Sequence, residues 1–318
     1  MEILNLKEVT KVFGKRVILD RVSFVVEEGD IFGILGQSGS GKTTLLNLII
    51  GFYQPDEGSI MYQLDPNDPQ KSVHQHANEV KRKFGFAAQL ASFYPKLTIK
   101  ENLVHFGNLY GIEKKTLQQN IQSLLEFTRL EKSQDQLAEQ TSVGMQKRLD
   151  LSCSLIHKPK ILLLDEPTAN IDPLLRKEIL YLIQQANKQG ITVIIASHQL
   201  SDIESICNKV ALIHNRRVAA WGTLEEIKRP YIQKDGAIHL NAGDYHQQIL
   251  DEARNMPVSK IVDQGDSILL YSAELQKVLC QLMNFAQREK IILNDINIHK
   301  PSLKEVFEEV AKKAEDEH

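Results

Sequence analysis

The sequence has few cysteines and none of the long apolar runs that cross a membrane. Its three cysteines lie far apart and form no CxxC pair, so we expect reduced thiols packed as small hydrophobic side chains, at Cys153, Cys207 and Cys280. The N-terminus alternates like a strand and lacks the apolar segment of a signal peptide. Apolar runs such as ITVIIA are far shorter than the roughly 20 residues that span a bilayer. Any role at a membrane is therefore expected to depend on a partner.

An excess of charge of one sign is also missing. The 38 Lys and Arg residues nearly balance 41 Asp and Glu residues, for a net charge of -3. A basic surface for nucleic acid is not indicated, and we expect no nucleic-acid partner. The 318 residues suffice for one large or two modest domains, and 42% hydrophobic residues is typical of a globular protein.

Residues 1–230 carry two different strand patterns. Residues 1–30 alternate between apolar and polar and break at short turns, which predicts antiparallel strands. The segments IFGILG, ILLLD and TVIIAS are instead apolar throughout, and segments with helical spacing separate them. Such strands, linked by helices, predict a parallel sheet covered on both faces and therefore an α/β fold.

The pattern restarts after residue 230. Strand-like and helix-like segments follow in the order βαββαβ, with a hairpin near Gly265. A last amphipathic helix places four apolar residues on one face, Leu303, Val306, Phe307 and Val310. This order predicts a second, ferredoxin-like α+β domain over residues 231–318.

A glycine-rich motif connects the first apolar strand to a helix. GQSGSGKT fits GxxxxGK[ST], whose backbone N–H groups surround phosphate oxygens at a helix N-terminus. Lys42 can reach the β and γ phosphates, and the Thr43 hydroxyl can ligate Mg²⁺. A glycine-rich turn without a ligand is the alternative. We predict that nucleotide phosphates are held by Gly36, Gln37, Ser38, Gly39, Ser40, Gly41, Lys42, Thr43 and Thr44.

Three polar side chains follow the other apolar strands. The carboxyl ends of parallel strands face the crevice where ligands bind. Asp165 there can hold Mg²⁺ through water, and Glu166 can act as general base on an attacking water. His198, after the third strand, can donate a hydrogen bond to the γ-phosphate. The alternatives are a solvated acidic loop and a structural histidine.

Six motifs occur along the chain in the order GQSGSGKTT, FGFAAQ, TSVGMQKR, ILLLDEP, ANID and ASH. Together they make residues 1–230 resemble the ATP-binding cassette (ABC) ATPases, the nucleotide-binding subunits of membrane transporters. The resemblance implies a P-loop NTPase with a mostly parallel sheet, an N-terminal antiparallel β-subdomain and a helical subdomain at about residues 90–155. It also implies that ATP and Mg²⁺ are the cofactors.

The resemblance assigns further roles at matching positions. Phe13 would stack on adenine, although an aromatic residue alone would more often belong to the core. Gln89 would bind Mg²⁺ and sense the transporter. Asp172 would signal across a dimer interface, and it also fits the N-cap of a helix that starts at Pro173.

TSVGMQKR falls where the family carries a signature loop that faces the ATP of a second subunit. Ser142 and Gly144 match and would contact that ATP, whereas Val143 replaces a glycine. If this position needs positive φ, valine is strained, and we expect weaker ATP-driven dimerisation or slower turnover than with glycine. If φ is negative, the valine is harmless.

The implied function is ATP hydrolysis by two cassettes closed head to tail, with an identical or a different second cassette. A separate permease is implied, docked through the loop SFYPKLTIKENL, so we expect a cytoplasmic protein, peripheral on the inner face of the cell membrane. The run GMQKRLDL and the tail KPSLKEVFEEV resemble the exporting branch, whose members carry an accessory C-terminal domain. The catalytic residues would be Lys42, Glu166 and His198, and the Mg²⁺ ligands Thr43, Gln89 and Asp165.

Two alternatives stay open. A regulatory or slow cassette, paired with another ATPase subunit, is compatible with Val143, but Glu166 and His198 argue against a dead catalytic half. A soluble non-transport ABC ATPase, acting on chromosomes or in translation, would carry long heptads or a Lys/Arg-rich arm, and neither is evident.

Overall fold

The computed structural model describes residues 1–232, 236–241, 243–265, 267–291 and 295–299, with the single residues 293 and 303. The chain forms two compact units, Met1–Thr223 and Leu224–His318, and each is described here by itself. The division lies a few residues before residue 230, where the sequence pattern restarts. Within the residues described, no helix is long and apolar enough to cross a membrane.

The first unit alternates strands and helices along the chain. Its elements are β1 (Glu2–Phe13), β2 (Arg16–Glu27), β3 (Ile31–Gly36), α1 (Lys42–Ile49), β4 (Glu57–Tyr62), β5 (Lys71–Ser72), α2 (Ala77–Lys83), β6 (Phe84–Ala87), α3 (Ile99–Leu109), α4 (Lys114–Thr128), α5 (Val143–Leu155), β7 (Ile161–Asp165), α6 (Pro173–Lys188), β8 (Thr192–Ser197), α7 (Leu200–Ile206), β9 (Lys209–His214) and β10 (Arg217–Thr223).

The predicted parallel sheet is confirmed. Its six strands run in the order β10-β9-β3-β8-β7-β6, and all neighbours pair in parallel except the edge strand β10. Every residue of β3, β7 and β8 is buried, which explains why these strands do not alternate. In register, Leu35 lies opposite Ser197 and Asp165 opposite Ala196, so three strands end at one edge of the sheet.

The predicted antiparallel strands are also confirmed. They form a separate sheet in the order β2-β1-β4-β5. The main core of the unit lies between this sheet, α1 and the parallel sheet, with the rings of Phe24 and Phe32 stacked 5.0 Å apart. Each fully buried aliphatic or aromatic side chain there contributes about 1.5–3 kcal/mol to stability.

Helices α3, α4 and α5 form the helical part of the first unit around a core of their own. Thr98 and Glu101 build a capping box that starts α3, and Leu103, Leu117 and Leu149 are buried between the helices. The loop from β6 to α3 crosses into this part, and its Phe93 packs in the same core.

The second unit has the predicted ferredoxin-like order. Its sheet runs β12-β13-β11-β14, antiparallel throughout, and two helices pack on it through one core, as a βαββαβ chain requires. Leu303 is buried, and the other predicted tail-helix residues, Val306, Phe307 and Val310, lie outside the residues described. The elements are α8 (Leu224–Ile232), β11 (Gly236–Asn241), α9 (His246–Ala253), β12 (Lys260–Asp263), β13 (Ile268–Ser272), α10 (Leu275–Glu289) and β14 (Asp295–His299).

The expectation for the cysteines is wrong at one position. All three thiols are free, and Cys153 and Cys207 are buried, but Cys280 is exposed. Helix α10 turns Val278 and Leu282 toward the core, and the residue midway between them points the other way, because a helix turns by about 200° over two residues.

Candidate phosphate-binding site

The loop from β3 to α1 has the geometry of a phosphate cradle. Gly41 caps α1 with φ 102°, a backbone conformation that side-chain-bearing residues avoid, and a Cβ there would lie 2.8 Å from a methyl group of Leu19. The first N–H groups of α1 are thereby left facing the loop, where an anion is favoured by the helix dipole.

Lys42 lies folded back over this loop. Its Nζ donates hydrogen bonds to the carbonyl oxygens of Gly36 and Gln37, at 2.8 and 3.2 Å, and lies 3.7 Å from Glu166 Oε1. The side chain is only 6% exposed. Burial lowers the pKa of Lys42, while the charges of Glu166 and Asp165 oppose that shift. The ammonium group therefore lies beside the cradle, where phosphate oxygens can replace the two carbonyl oxygens as its hydrogen-bond acceptors.

Glu166 and His198 meet because β7 and β8 are neighbours. Glu166 Oε1 accepts a hydrogen bond from the His198 backbone N–H at 3.0 Å and lies 2.8 Å from His198 Nδ1. Its Oε2 accepts from the Ser197 hydroxyl at 3.3 Å. Glu166 has φ 50°, a left-handed conformation that costs about 1 kcal/mol or more for a residue with a side chain. This strained turn directs the carboxylate toward His198 and Lys42.

Asp165 is buried without a close hydrogen-bond partner. It is 2% exposed, and neither carboxylate oxygen has a partner within hydrogen-bond geometry among the residues described. Burial raises the pKa of Asp165, and the nearby Thr43 hydroxyl and the charge of Lys42 only partly oppose the rise. The buried Ser40 hydroxyl also lacks a partner within the described part of the chain. Oxygen atoms left unsatisfied in this way fit a hard cation such as Mg²⁺, which takes oxygen ligands and retains several waters.

Two further predicted residues, Phe13 and Gln89, are exposed. Phe13 ends β1 with its ring 43% exposed, edge-to-face against Tyr53 at 5.3 Å. The alternative that Phe13 belongs to the core is therefore wrong. Gln89 is exposed in the loop after β6, the far edge strand of the parallel sheet.

The signature loop corrects one expectation. Ser142 is exposed and caps α5 by accepting a hydrogen bond from the Met145 N–H at 3.3 Å. Val143 is the first residue of that helix, is 57% exposed, and is not among the described residues with positive φ. The expected strain at Val143 is wrong. Because Ser142 is the N-cap, Val143 already has the helical backbone of the first turn, which any residue can adopt. At the next position, a Cβ on Gly144 would lie 2.6 Å from a methyl group of Leu175, so that side chain would have to shift to admit it.

Asp172 confirms the capping alternative. Its Oδ1 accepts hydrogen bonds from the N–H groups of Leu174 and Leu175, both at 3.0 Å, and Pro173 takes the first position of α6. The carboxylate is exposed, so a role toward another subunit is compatible with the cap.

Sequence reasoning missed a buried network behind the site. The Thr168 hydroxyl donates to Asp202 Oδ2 at 2.6 Å, and Arg176 lies 3.8 Å from Asp202 Oδ1. These contacts fix the turn after Glu166 against α6 and α7. No local pattern could reveal them, because Thr168 and Asp202 are 34 residues apart.

Comparison with known proteins places these features in one family. The family described as ABC transporter matches residues 19–169. The linearmycin resistance ATP-binding protein LnrL of Bacillus subtilis is 30% identical over 308 residues, which cover 96% of either chain. The Nod factor export ATP-binding protein I of Sinorhizobium fredii is 30% identical, over 88% of this chain and 79% of its own. A solved nucleotide-free ATP-binding cassette from an ABC transporter superposes with a TM-score of 0.64 and 28% identity, covering 72% of this chain and 94% of that chain.

Proposed function

Because the chain belongs to the ABC transporter ATP-binding proteins, a family of ATPases, we propose that it binds ATP with Mg²⁺ between two cassettes and drives export through a separate permease. The observation that carries the proposal is the cluster of Lys42, Glu166 and His198 around the cradle, beside the unsatisfied Asp165. These four residues come from the ends of two neighbouring strands, β7 and β8, and from the start of α1, and they are already within contact distance or buried at one edge of the sheet.

ATP would be bound at its phosphates by the cradle and at its adenine by Phe13. Lys42 leaves the carbonyl oxygens of the loop for the β and γ phosphates, and the exposed ring of Phe13 stacks on adenine. Further cradle contacts come from residues 36–44. Thr43, Asp165 and Gln89 would hold Mg²⁺, which neutralises charge on the phosphates.

Hydrolysis would begin at Glu166. In the structure, its Oε1 accepts a hydrogen bond from the His198 backbone N–H and lies close to Lys42. One of these two groups must give way before Oε1 can accept a hydrogen bond from the attacking water. The carboxylate then takes a proton from that water, the new bond forms to the γ phosphorus, and the bond to ADP breaks. Lys42 and His198 stabilise the charge on the transferred group.

A second cassette would complete the site. Ser142 lies exposed at the N-terminus of α5, where the helix dipole favours an anion, and it makes no contact with the cradle of its own chain within the described hydrogen bonds. We assign it to the γ-phosphate held by the partner cassette, an identical or related chain, and Asp172 to the interface between the two.

The permease would dock beside Gln89. Exposed apolar side chains line the loop after β6 and the following helix α3, at Leu90, Tyr94, Val104 and Leu109. An exposed apolar surface of this kind marks a protein interface. Docking there would place the chain at the inner face of the cell membrane. Export as the direction is supported by the relatives, one a resistance protein and one an export protein by name.

The test has two measurements. Purification of the tagged protein from detergent-solubilised membranes should recover a polytopic membrane protein with it, and the purified complex should hydrolyse ATP in a Mg²⁺-dependent manner. Recovery of ribosomes or DNA instead would overturn the transport assignment. ATP binding with no hydrolysis in the complex would favour a regulatory cassette.

A further inference from the structure

A buried carboxylate two turns into α5 has no part in the hydrolysis proposed above. Asp150 is 5% exposed, and its Oδ1 accepts a hydrogen bond from the backbone N–H of Ser92 at 2.8 Å. Ser92 follows Gln89 by three residues in the loop between β6 and α3. Helix α5, which Ser142 caps, is therefore bonded directly to the loop that carries Gln89.

Ionisation of this carboxylate lowers the stability of the folded state. Burial raises the pKa of Asp150 to about 6, and the Ser92 N–H and the charge of Lys147 offset that effect only in part. Its neighbours Leu149 and Cys153 belong to the apolar core of the helical part. A side chain that only filled space here would be apolar. The hydrogen bond to Ser92 is the specific contact that a carboxylate adds.

Other hydrogen bonds attach this loop to α3 and, through backbone bonds to Ala138 and Glu139, to the segment just before Ser142. Asn102 of α3 accepts a hydrogen bond from the Tyr94 N–H at 2.7 Å and donates to the Tyr94 carbonyl oxygen at 3.0 Å. These two bonds attach the loop to α3, beside the surface proposed for the permease. The bond from Ser92 attaches the same loop to α5.

We propose that Asp150 is a positioning residue that couples α5 to Gln89. When Ser142 contacts the ATP of a second cassette, α5 shifts as a rigid body. Asp150, about 12 Å along the helix from Ser142, moves with it and displaces Ser92 through their hydrogen bond. Gln89 thereby reaches Mg²⁺ only when the opposite site is closed. This inference rests on the proposed function, which supplies the roles of Ser142 and Gln89.

The experiment compares variants that keep or lose the acceptor, in the full-length protein. Asp150→Asn keeps an acceptor oxygen, whereas Asp150→Ala and the isosteric apolar Asp150→Leu do not. The matched control is Asn120→Ala, which removes a buried hydrogen bond between α4 and the Ile156 carbonyl oxygen without touching the loop. The measurements are kcat, the Mg²⁺ concentration for half-maximal rate, and the Kd for ATP.

Loss of the acceptor should lower kcat about tenfold and raise the Mg²⁺ requirement, with the Kd for ATP within about twofold of the wild type. Asp150→Asn should restore most of the rate, and Asn120→Ala should change only the melting temperature. The inference is overturned if Asp150→Leu, folded, has the wild-type kcat and Mg²⁺ requirement. It is also overturned if kcat and ATP affinity fall together with stability. Absence of hydrolysis in the wild type would instead count against the proposed function.

Discussion

The cradle and the signature loop, residues 141–148, differ in how far a single chain completes them. At the cradle, Glu166 contacts both Lys42 and His198, and Asp165 is buried beside them. In the signature loop, Ser142 and Val143 are exposed, and Ser142 bonds only to its own helix among the contacts described. The first cluster is assembled within one chain, whereas the second leaves a helix N-terminus exposed, as the proposed contact with a second cassette requires. The predictions below test that division.

The largest effect is expected from Glu166→Gln, which removes the proposed general base and leaves the cradle intact. Phosphate release should fall about 10³-fold, while ATP binding persists and an ATP-dependent dimer accumulates in gel filtration. Glu139→Gln, at an exposed residue, is the control and should retain the wild-type rate. A Glu166→Gln variant that still hydrolyses ATP within about tenfold of the wild type would show that Glu166 does not activate the water.

The next test mixes two defective chains. Lys42→Ala and Ser142→Ala should each lower hydrolysis by about 10²-fold, because each removes one half of the proposed composite site. In a mixture, each mixed dimer contains one site with both Lys42 and Ser142. The rate should therefore recover to roughly a quarter of the wild-type rate. No recovery would contradict a site formed by two copies of this chain.

Asp150→Asn should stabilise the fold at neutral pH. Because burial raises the folded-state pKa of Asp150 to about 6, the folded chain holds that proton more tightly than the unfolded chain. Wild-type stability therefore declines as the pH rises from about 4 to about 6 and stays lower above that range. Asparagine carries no proton to lose, so the variant should gain about 2 kcal/mol at pH 8 and almost nothing at pH 4. Urea unfolding at both values measures the difference, and an equal gain at both would exclude ionisation as the cause.

The smallest effect is expected from Val143→Gly. Since Val143 is helical and exposed, glycine should cost about 0.5–1 kcal/mol of stability and should not raise the rate of hydrolysis. Thermal unfolding and phosphate release together check this. A faster glycine variant would restore the view that this position is strained in the working dimer.

Much of the fold could be predicted because its signals are local. The apolar runs of β3, β7 and β8 identified a parallel sheet, and the glycine-rich motif identified the loop between β3 and α1 that has the geometry of a phosphate cradle. The βαββαβ order of the second unit followed from alternation and helical spacing. In each case the period of the pattern records which face of an element is buried.

The remaining features depend on contacts between distant residues. Cys280 is exposed because of the rotation of α10, and Val143 is unstrained because Ser142 caps the helix one position earlier. The bond from Ser92 to Asp150 joins residues 58 apart in the chain. Such pairs leave no periodic trace, because the partner of a buried polar group is chosen by packing and not by its neighbours in sequence.

The sequence by itself determined the strand and helix types, the phosphate motif and the family resemblance, since each is carried by residues near one another in the chain. Only the tertiary structure decided that Glu166 bonds His198 and lies close to Lys42, that Asp165 lies buried without a close hydrogen-bond partner among the residues described, and that α5 is bonded to the loop carrying Gln89. The physical reason is that the order of the parallel strands and the packing of the helices set these distances, and neither can be deduced from one segment of the sequence alone.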